Sequence, residues 1–400
     1  AAAGLVLAAA CIRSEDAPPP APVGAEPQVR VGLMTDAAGV TVGAAGALTV
    51  ARDDGSTITI VRAGETVRIV PASRGLRLVG VPGADAAQSP RLLLTPVDAG
   101  TNVTVDGRPY RGTLQVLRDS AGLTVVNRLG LESYLAAVVA GEMGRRAPED
   151  AEALRAQAIV SRTYALRNLG RWASRGFDLY ATVSDQVYGG VSTEYALASD
   201  AVAATRGLIV TYGGAPIDAF FYSTCGGRTA GGTEVFSAAN PAYLRSIDDT
   251  DPNGDAYCRI SPRFRWTEEW TASELHQVLG RTLPAAGSSR VTSVRVTRIS
   301  GSGRADELAV SRGGREVLVP HREIRLVLRT AAGDPLRSTR FTLDEHRVDG
   351  AVVRLAAEGG GAGHGVGLCQ WGAVGRSRAG QDYRTIIAAY YPNTTLERFY

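Results

Sequence analysis

A carboxylate and an arginine are spaced to converge in the stretch from Leu131 to Arg162, LESYLAAVVAGEMGRRAPEDAEALRAQAIVSR. Glu142 closes the first half of it. A carboxyl group at the C-terminal end of a helix meets the negative end of the macrodipole, which disfavours its anion and raises its pKa unless a cation compensates. A carboxyl that keeps its proton is what a general acid needs. Arg162 is the candidate compensating cation, and Gln157 lies one and a half helical turns before it, placed to orient the acid or to hold a substrate. The competing reading is a solvated glutamate at a helix end, the ordinary state of a charged side chain.

The elements that must position these groups follow from periodicity. Leu131, Leu135, Val138 and Val139 fall at i, i+4, i+7 and i+8, one apolar face of a helix that has to be buried. The pattern breaks at Gly144. Pro148, Glu149 and Asp150 then open a second helix, with acids against the positive end of its dipole, which runs to about Leu169. Its Leu154, Ala158, Ser161 and Ala165 track one face, and Arg155 and Arg162 share a neighbouring stripe.

This stretch resembles the family of stage II sporulation protein D (SpoIID) and the LytB amidase enhancer. The family's YL..VV..EMP pattern is met by Tyr134, Leu135, Val138, Val139, Glu142 and Met143. Its EALKAQA..ARTYA pattern is met by Glu152 through Ala158 and by Ser161 through Ala165. Phe220 to Gly227 (FFYSTCGG) looks like the family's FFxST.GG segment, and Gly363 to Ala373 (GHGVGLCQWGA) is similar to its GHGVG.SQ.GA signature. The three blocks keep the family's order over roughly residues 120 to 400. The resemblance implies lytic cleavage of peptidoglycan glycan strands between N-acetylmuramic acid and N-acetylglucosamine. Glu142 would serve as the single acid and base, and Arg162, Gln157, Tyr188, Ser223, Thr224, His364 and Gln370 would line the substrate groove. A LytB-like modifier that binds wall and stimulates an N-acetylmuramoyl-L-alanine amidase without cutting is the alternative. A structural envelope lipoprotein is the third reading.

Earlier in the chain, AAAGLVLAAAC ends at Cys11 like the tail of a secretory signal with a lipobox, so Cys11 is the expected lipidation site and residues 1–11 the signal remnant. An ordinary signal peptide with an incidental cysteine is the alternative. Residues 12–28, rich in proline, read as an extended tether. Residues 29–106 are short alternating runs such as VRVGLM and STITIV broken by Gly, Asp and Pro, an antiparallel β domain for packing or wall binding. Residues 107–400 are the catalytic domain of mixed helix and strand, with a variable region at about 266–350, so the expected class is α+β. The expected location is extracytoplasmic, in the cell envelope.

A net charge of +3 in 400 residues, with no basic stripe carrying interleaved aromatics, excludes nucleic acid as the expected partner. No stretch has the roughly 20 apolar residues of a spanning helix, which leaves the lipid anchor as the one expected membrane contact. Tyr180, Ser184 and Asp185 stand where many family members carry a cysteine and a histidine-cysteine pair. Zinc prefers thiolate and imidazole, so that metal site is not expected here. Of the cysteines after Cys11, Cys225 and Cys258 are expected to bridge in an oxidising compartment. Cys369 occupies a place where relatives often have serine. Zinc held by Cys369, His364 and the other two, or a Cys369 nucleophile with His364 as base, are the alternatives to this cofactor-free reading. His276, His321 and His346 are scattered without ligand spacing.

Overall fold

The computed structural model describes residues 24–81, 89–236, 241–284 and 289–400; the signal remnant, Cys11 and most of the tether lie outside the described residues. The chain folds as α+β, in two compact units. One runs to Asp218 and takes in Leu396–Tyr400; the other covers Ala219–Thr395. None of the described helices is long and apolar enough to cross a membrane.

Two antiparallel-rich sheets build the first unit. The larger orders its strands as Leu179–Tyr180, Gln28–Ala37, Leu123–Gly130, Thr113–Arg118, Arg91–Pro96, Leu48–Arg52 and Thr57–Val61. The smaller runs Gly75–Val79, Thr66–Ala72, Val40–Ala44, Val103–Val105 and Arg108–Tyr110. Val29 and Val31, Leu48 and Val50, Leu92 and Leu94, and Val40 and Val42 are all fully buried. Side chains alternate across a strand, so this spacing gives each sheet one apolar face. The boundary expected near residue 106 falls inside this unit. Gln28–Ala37 pairs antiparallel with Leu123–Gly130, Val29 opposite Leu129 and Val31 opposite Asn127, so the early strands and those after residue 107 share one sheet.

The strand Leu123–Gly130 feeds directly into α1 (Leu131–Met143), and a 3-10 turn at Pro148–Asp150 leads into α2 (Ala151–Arg167). Leu131, Leu135, Val138 and Val139 are fully buried, as the periodicity requires, but so are Tyr134 and Ala153 through Val160 almost without a break. Both helices are packed on most sides rather than along one stripe, the condition of a helix inside a core. A third helix, α3 (Ala196–Ala204), packs on both. The strand Leu208–Tyr212 turns through Gly213 and Gly214 into the short strand Ala215–Pro216, a hairpin. Phe221–Tyr222 belongs to the second unit and pairs in parallel with Leu368–Cys369, a partner 147 positions away that local sequence does not reveal.

In the second unit, after α4 (Gly232–Val235), two three-stranded sheets and two helices enclose their own core. The sheets are Arg265–Thr271, Ala351–Gly360 and Phe341–Val348, and Val291–Ile299, Ala305–Arg312 and Arg315–Pro320. The helices are α5 (Ala272–Thr282), capped by the Thr271 hydroxyl accepting from the Glu274 N–H at 3.3 Å, and α6 (His321–Val327). At the centre sits Trp270, fully buried among Leu275, Leu279, Leu308, Ile324 and Leu355, its indole N–H donating to the Arg329 carbonyl at 2.8 Å. Two last helices, α7 (Gln370–Arg378) and α8 (Tyr383–Tyr390), complete the unit. Trp270→Ala should cost about 3–5 kcal/mol, because it opens a cavity and orphans a carbonyl. Urea unfolding of the full chain followed by tryptophan fluorescence measures it, and a loss below about 1 kcal/mol would show that this core relaxes freely.

Candidate active site

Glu142 occupies the last turn of α1, half-buried, and its Oε1 accepts the Val187 N–H at 2.7 Å. Two features bring the Val187 loop against the helix end. Gly141 has no side chain to keep it off: a Cβ there would lie 2.9 Å from the Val187 carbonyl oxygen. Further along, the Thr193 hydroxyl donates to the Ala137 carbonyl at 3.3 Å and Tyr195 donates to the Gly144 carbonyl at 2.8 Å, so the loop from Gln186 to Tyr195 straps the C-terminal half of α1. Beyond the helix end, the exposed Arg145 guanidinium lies 5.7 Å from the Tyr195 ring centroid. The carboxylate is thus fixed in direction by a backbone donor, at a helix terminus bordered by a cation and an aromatic face.

Arg162 does other work than that expected of it. Its guanidinium is fully buried and forked on Glu132, with Nε to Oε1 and Nη2 to Oε2 both at 2.8 Å. Nη1 and Nη2 also donate to the carbonyls of Leu208 at 3.1 Å and Val202 at 3.3 Å. A side chain with no solvent access and these four acceptors is not available to a saccharide. Burial pushes the Glu132 carboxyl up, but Arg162, with the Tyr400 hydroxyl, holds it below its ordinary range. Gln157 is likewise fully buried, donating to the Ser161 hydroxyl at 2.9 Å. Tyr188 is core: its hydroxyl donates to Asn127 at 2.7 Å and its ring packs on Tyr110 and Tyr134. The stripe pattern placed Arg162 and Gln157 on the correct helix; it could not tell a substrate face from a face turned into the protein.

At the position of the family's metal pair, Asp185 makes four hydrogen bonds. Its Oδ1 accepts from Tyr164 at 3.0 Å and Arg171 at 3.1 Å, and its Oδ2 from the Trp172 indole at 2.9 Å and the Tyr180 N–H at 2.9 Å. A carboxylate so occupied, beside a tyrosine and a serine, does not suit zinc. Hydrogen bonds hold this loop.

In the second unit the histidine of the GHGVG block is locked. The Val366 N–H donates to His364 Nδ1 at 3.1 Å, so Nε2 carries the proton and donates to the Phe221 carbonyl at 3.0 Å, between the rings of Tyr222 and Phe236. Burial, opposed by the Phe221 carbonyl, holds its pKa down at about 4. Both nitrogens are committed, which removes it as a metal ligand or as a base for Cys369. Thr224 is buried, its hydroxyl 2.8 Å from that of Ser261, and Gln370 is buried at the start of α7; Ser223 remains half-accessible. The expected Cys225–Cys258 bridge is not formed: the sulfurs lie 3.3 Å apart as thiols, and Cys369 and Asp249 join them in one buried group. Asp249 escaped the sequence reading because IDDTD looks like a solvated acidic turn; its buried partners, Arg376 and Tyr390, lie more than 120 residues further on.

Comparison with known proteins follows this division. The stage II sporulation protein family (SpoIID) matches residues 119–212, the segment that carries Glu142 and its strap. Residues 253–367 match a domain family of unknown function. The chain is 32% identical over 286 residues to Stage II sporulation protein D of Bacillus subtilis (strain 168), covering 68% of this chain and 75% of that one. It is 28% identical over 335 residues to Stage II sporulation protein D of Bacillus amyloliquefaciens, covering 76% and 89%. To the Amidase enhancer of Bacillus subtilis it is 27% identical over 337 residues, 74% of this chain and 45% of that longer one.

Two expectations test these assignments. Arg162→Ala should destabilise the first unit by about 3 kcal/mol, since it leaves the half-buried Glu132 carboxylate without its cation and opens a cavity in the core. Thermal melts check it, and an unchanged melting temperature would refute the structural role. For His364, a depressed folded pKa means that stability is present above the unfolded value and is lost as pH falls. Between about pH 6.5 and pH 4 the protein should lose roughly 2–3 kcal/mol that His364→Gln does not lose. Superimposable stability profiles of the two proteins over that range would contradict the locked neutral ring.

Proposed function

Because this chain belongs to the stage II sporulation protein D family, we propose that it is a cell-wall protein and cuts the glycan strands of peptidoglycan as a lytic transglycosylase, with Glu142 as its acid and base. The observation that carries this reading is the half-buried Glu142 carboxylate, held by the Val187 N–H at 2.7 Å on a buried helix. Hydrolytic glycosidases need two carboxyl groups, one for the leaving oxygen and one for water or the anomeric carbon. A transglycosylase needs one. The protonated carboxyl gives its proton to the bridging oxygen; the resulting carboxylate then takes the proton of the sugar's own C6 hydroxyl, which closes a 1,6-anhydro ring without water. The Val187 N–H fits the second half-reaction, because it stabilises the carboxylate that remains after the first transfer.

Arg162 and Gln157 have no part in substrate binding in this reading, being buried. Arg145 and Tyr195 beside the helix end replace them as candidate sugar contacts, a cation with an aromatic face suited to a saccharide ring. An extracytoplasmic site of action, with lipid attachment at Cys11, agrees with the wall substrate. The likeness to a protein named Amidase enhancer supports a second reading, in which the same face binds wall and stimulates an amidase.

Glu142→Gln keeps an acceptor for the Val187 N–H but cannot cycle a proton. It should lower the release of anhydro-ended fragments from peptide-stripped glycan strands by about 10²–10⁴-fold with little change in melting temperature. Equal release by the variant would exclude Glu142 as the acid. If neither protein releases anhydro ends alone, yet both accelerate an added amidase, the enhancer reading stands in place of the enzymatic one.

A further inference from the structure

We propose that Cys225, Cys258, Cys369 and Asp249 form a structural zinc site in the second unit. The Sγ atoms of the three cysteines and a carboxylate oxygen of Asp249 all lie within 4.8 Å of one another, and all four residues are buried. Cys225 and Cys258 are 3.3 Å apart, and Cys225 Sγ is 3.2 Å from Asp249 Oδ2. Tetrahedral zinc with Zn–S bonds of about 2.3 Å sets its sulfurs about 3.8 Å apart, so a small expansion admits the ion. Three thiolates with one carboxylate are ligands that zinc accepts, and a fully ligated, closed site is the structural kind rather than the catalytic kind.

The surroundings are those of thiolates. The Gly227 N–H is directed at Cys225 Sγ from 3.2 Å, a position reached because Gly226 and Gly227 both have positive φ, 76° and 108°. The N–H groups of Cys225 and Gly372 are directed at Cys369 Sγ from 3.1 and 3.2 Å. On the carboxylate, Arg376 Nε donates to Oδ1 at 3.0 Å and the Tyr390 hydroxyl donates to Oδ2 at 2.8 Å, outer partners that orient a ligand and offset its charge. Zinc binding releases the three thiol protons and leaves a centre of net charge −2, beside which Arg376 supplies one compensating positive charge. A Cys225–Cys258 disulfide, by contrast, would leave the N–H groups around Cys369 facing a neutral thiol. The ion would fasten four separate pieces of chain: the end of the strand Phe221–Tyr222, the turn at Tyr257–Ile260, the start of α7, and the segment at Asp249.

The test is elemental analysis of the full chain, purified from medium supplied with zinc, together with non-reducing peptide mapping of protein purified without reductant. About one zinc per chain is expected, falling to near zero in Cys369→Ser, a variant that leaves Cys225 and Cys258 in place. Should that variant fail to fold, the native protein exchanged into cobalt(II) gives an independent reading: thiolate ligation produces an intense ligand-to-metal charge-transfer band. Absence of both zinc after reconstitution and that cobalt band, or recovery of Cys225 and Cys258 as a disulfide-linked peptide pair, overturns the site.

Discussion

The first unit depends on one ion pair. The fully buried guanidinium of Arg162 in α2 meets the half-buried Glu132 at the start of α1, and goes on to the carbonyls of Val202 in α3 and Leu208 in the next strand. Four elements are thereby referred to a single side chain. Such a pair adds little net stability over a well-packed apolar alternative, since desolvating two charges costs several kcal/mol. What it confers is an unambiguous arrangement: any other register of the helices would bury a charge alone. Glu142 sits at the far end of α1 from this clamp, so its position is inherited from a rigid body.

The sequence made the helix pair legible because a core helix repeats its apolar residues with the period of the backbone, and Gly144 and Pro148 mark the break. It misjudged side-chain roles on the same helices for a related reason. Periodicity says which face a residue shares, and α1 and α2 are buried on most faces, so a polar residue such as Arg162 on the expected stripe points into protein. The strand pattern of residues 29–106 was equally plain, whereas its pairing with Leu123–Gly130 was not, since alternation fixes a strand's faces and leaves its neighbours open. Glu142 itself was found through its block, and the Val187 contact that orients it could not be read from spacing.

The two loops that resemble metal sites show opposite solutions to one problem. Near residue 185 a carboxylate with four donors binds the loop through hydrogen bonds. Around Cys369, three sulfurs and a carboxylate have gathered from distant segments.

The closing residues Leu396–Tyr400 return to the first unit, where the Tyr400 hydroxyl reaches Glu132 and the Phe399 N–H bonds the Gly207 carbonyl at 2.8 Å. The second unit is therefore an insertion within the first. On the ribosome, the residues that finish the edge beside Gly207 emerge after Ala219–Thr395 have been made, at roughly 5–20 residues per second. Nascent chains would hold the glutamate-bearing half in an unsealed form for roughly 10–35 seconds before its last hydrogen bonds close.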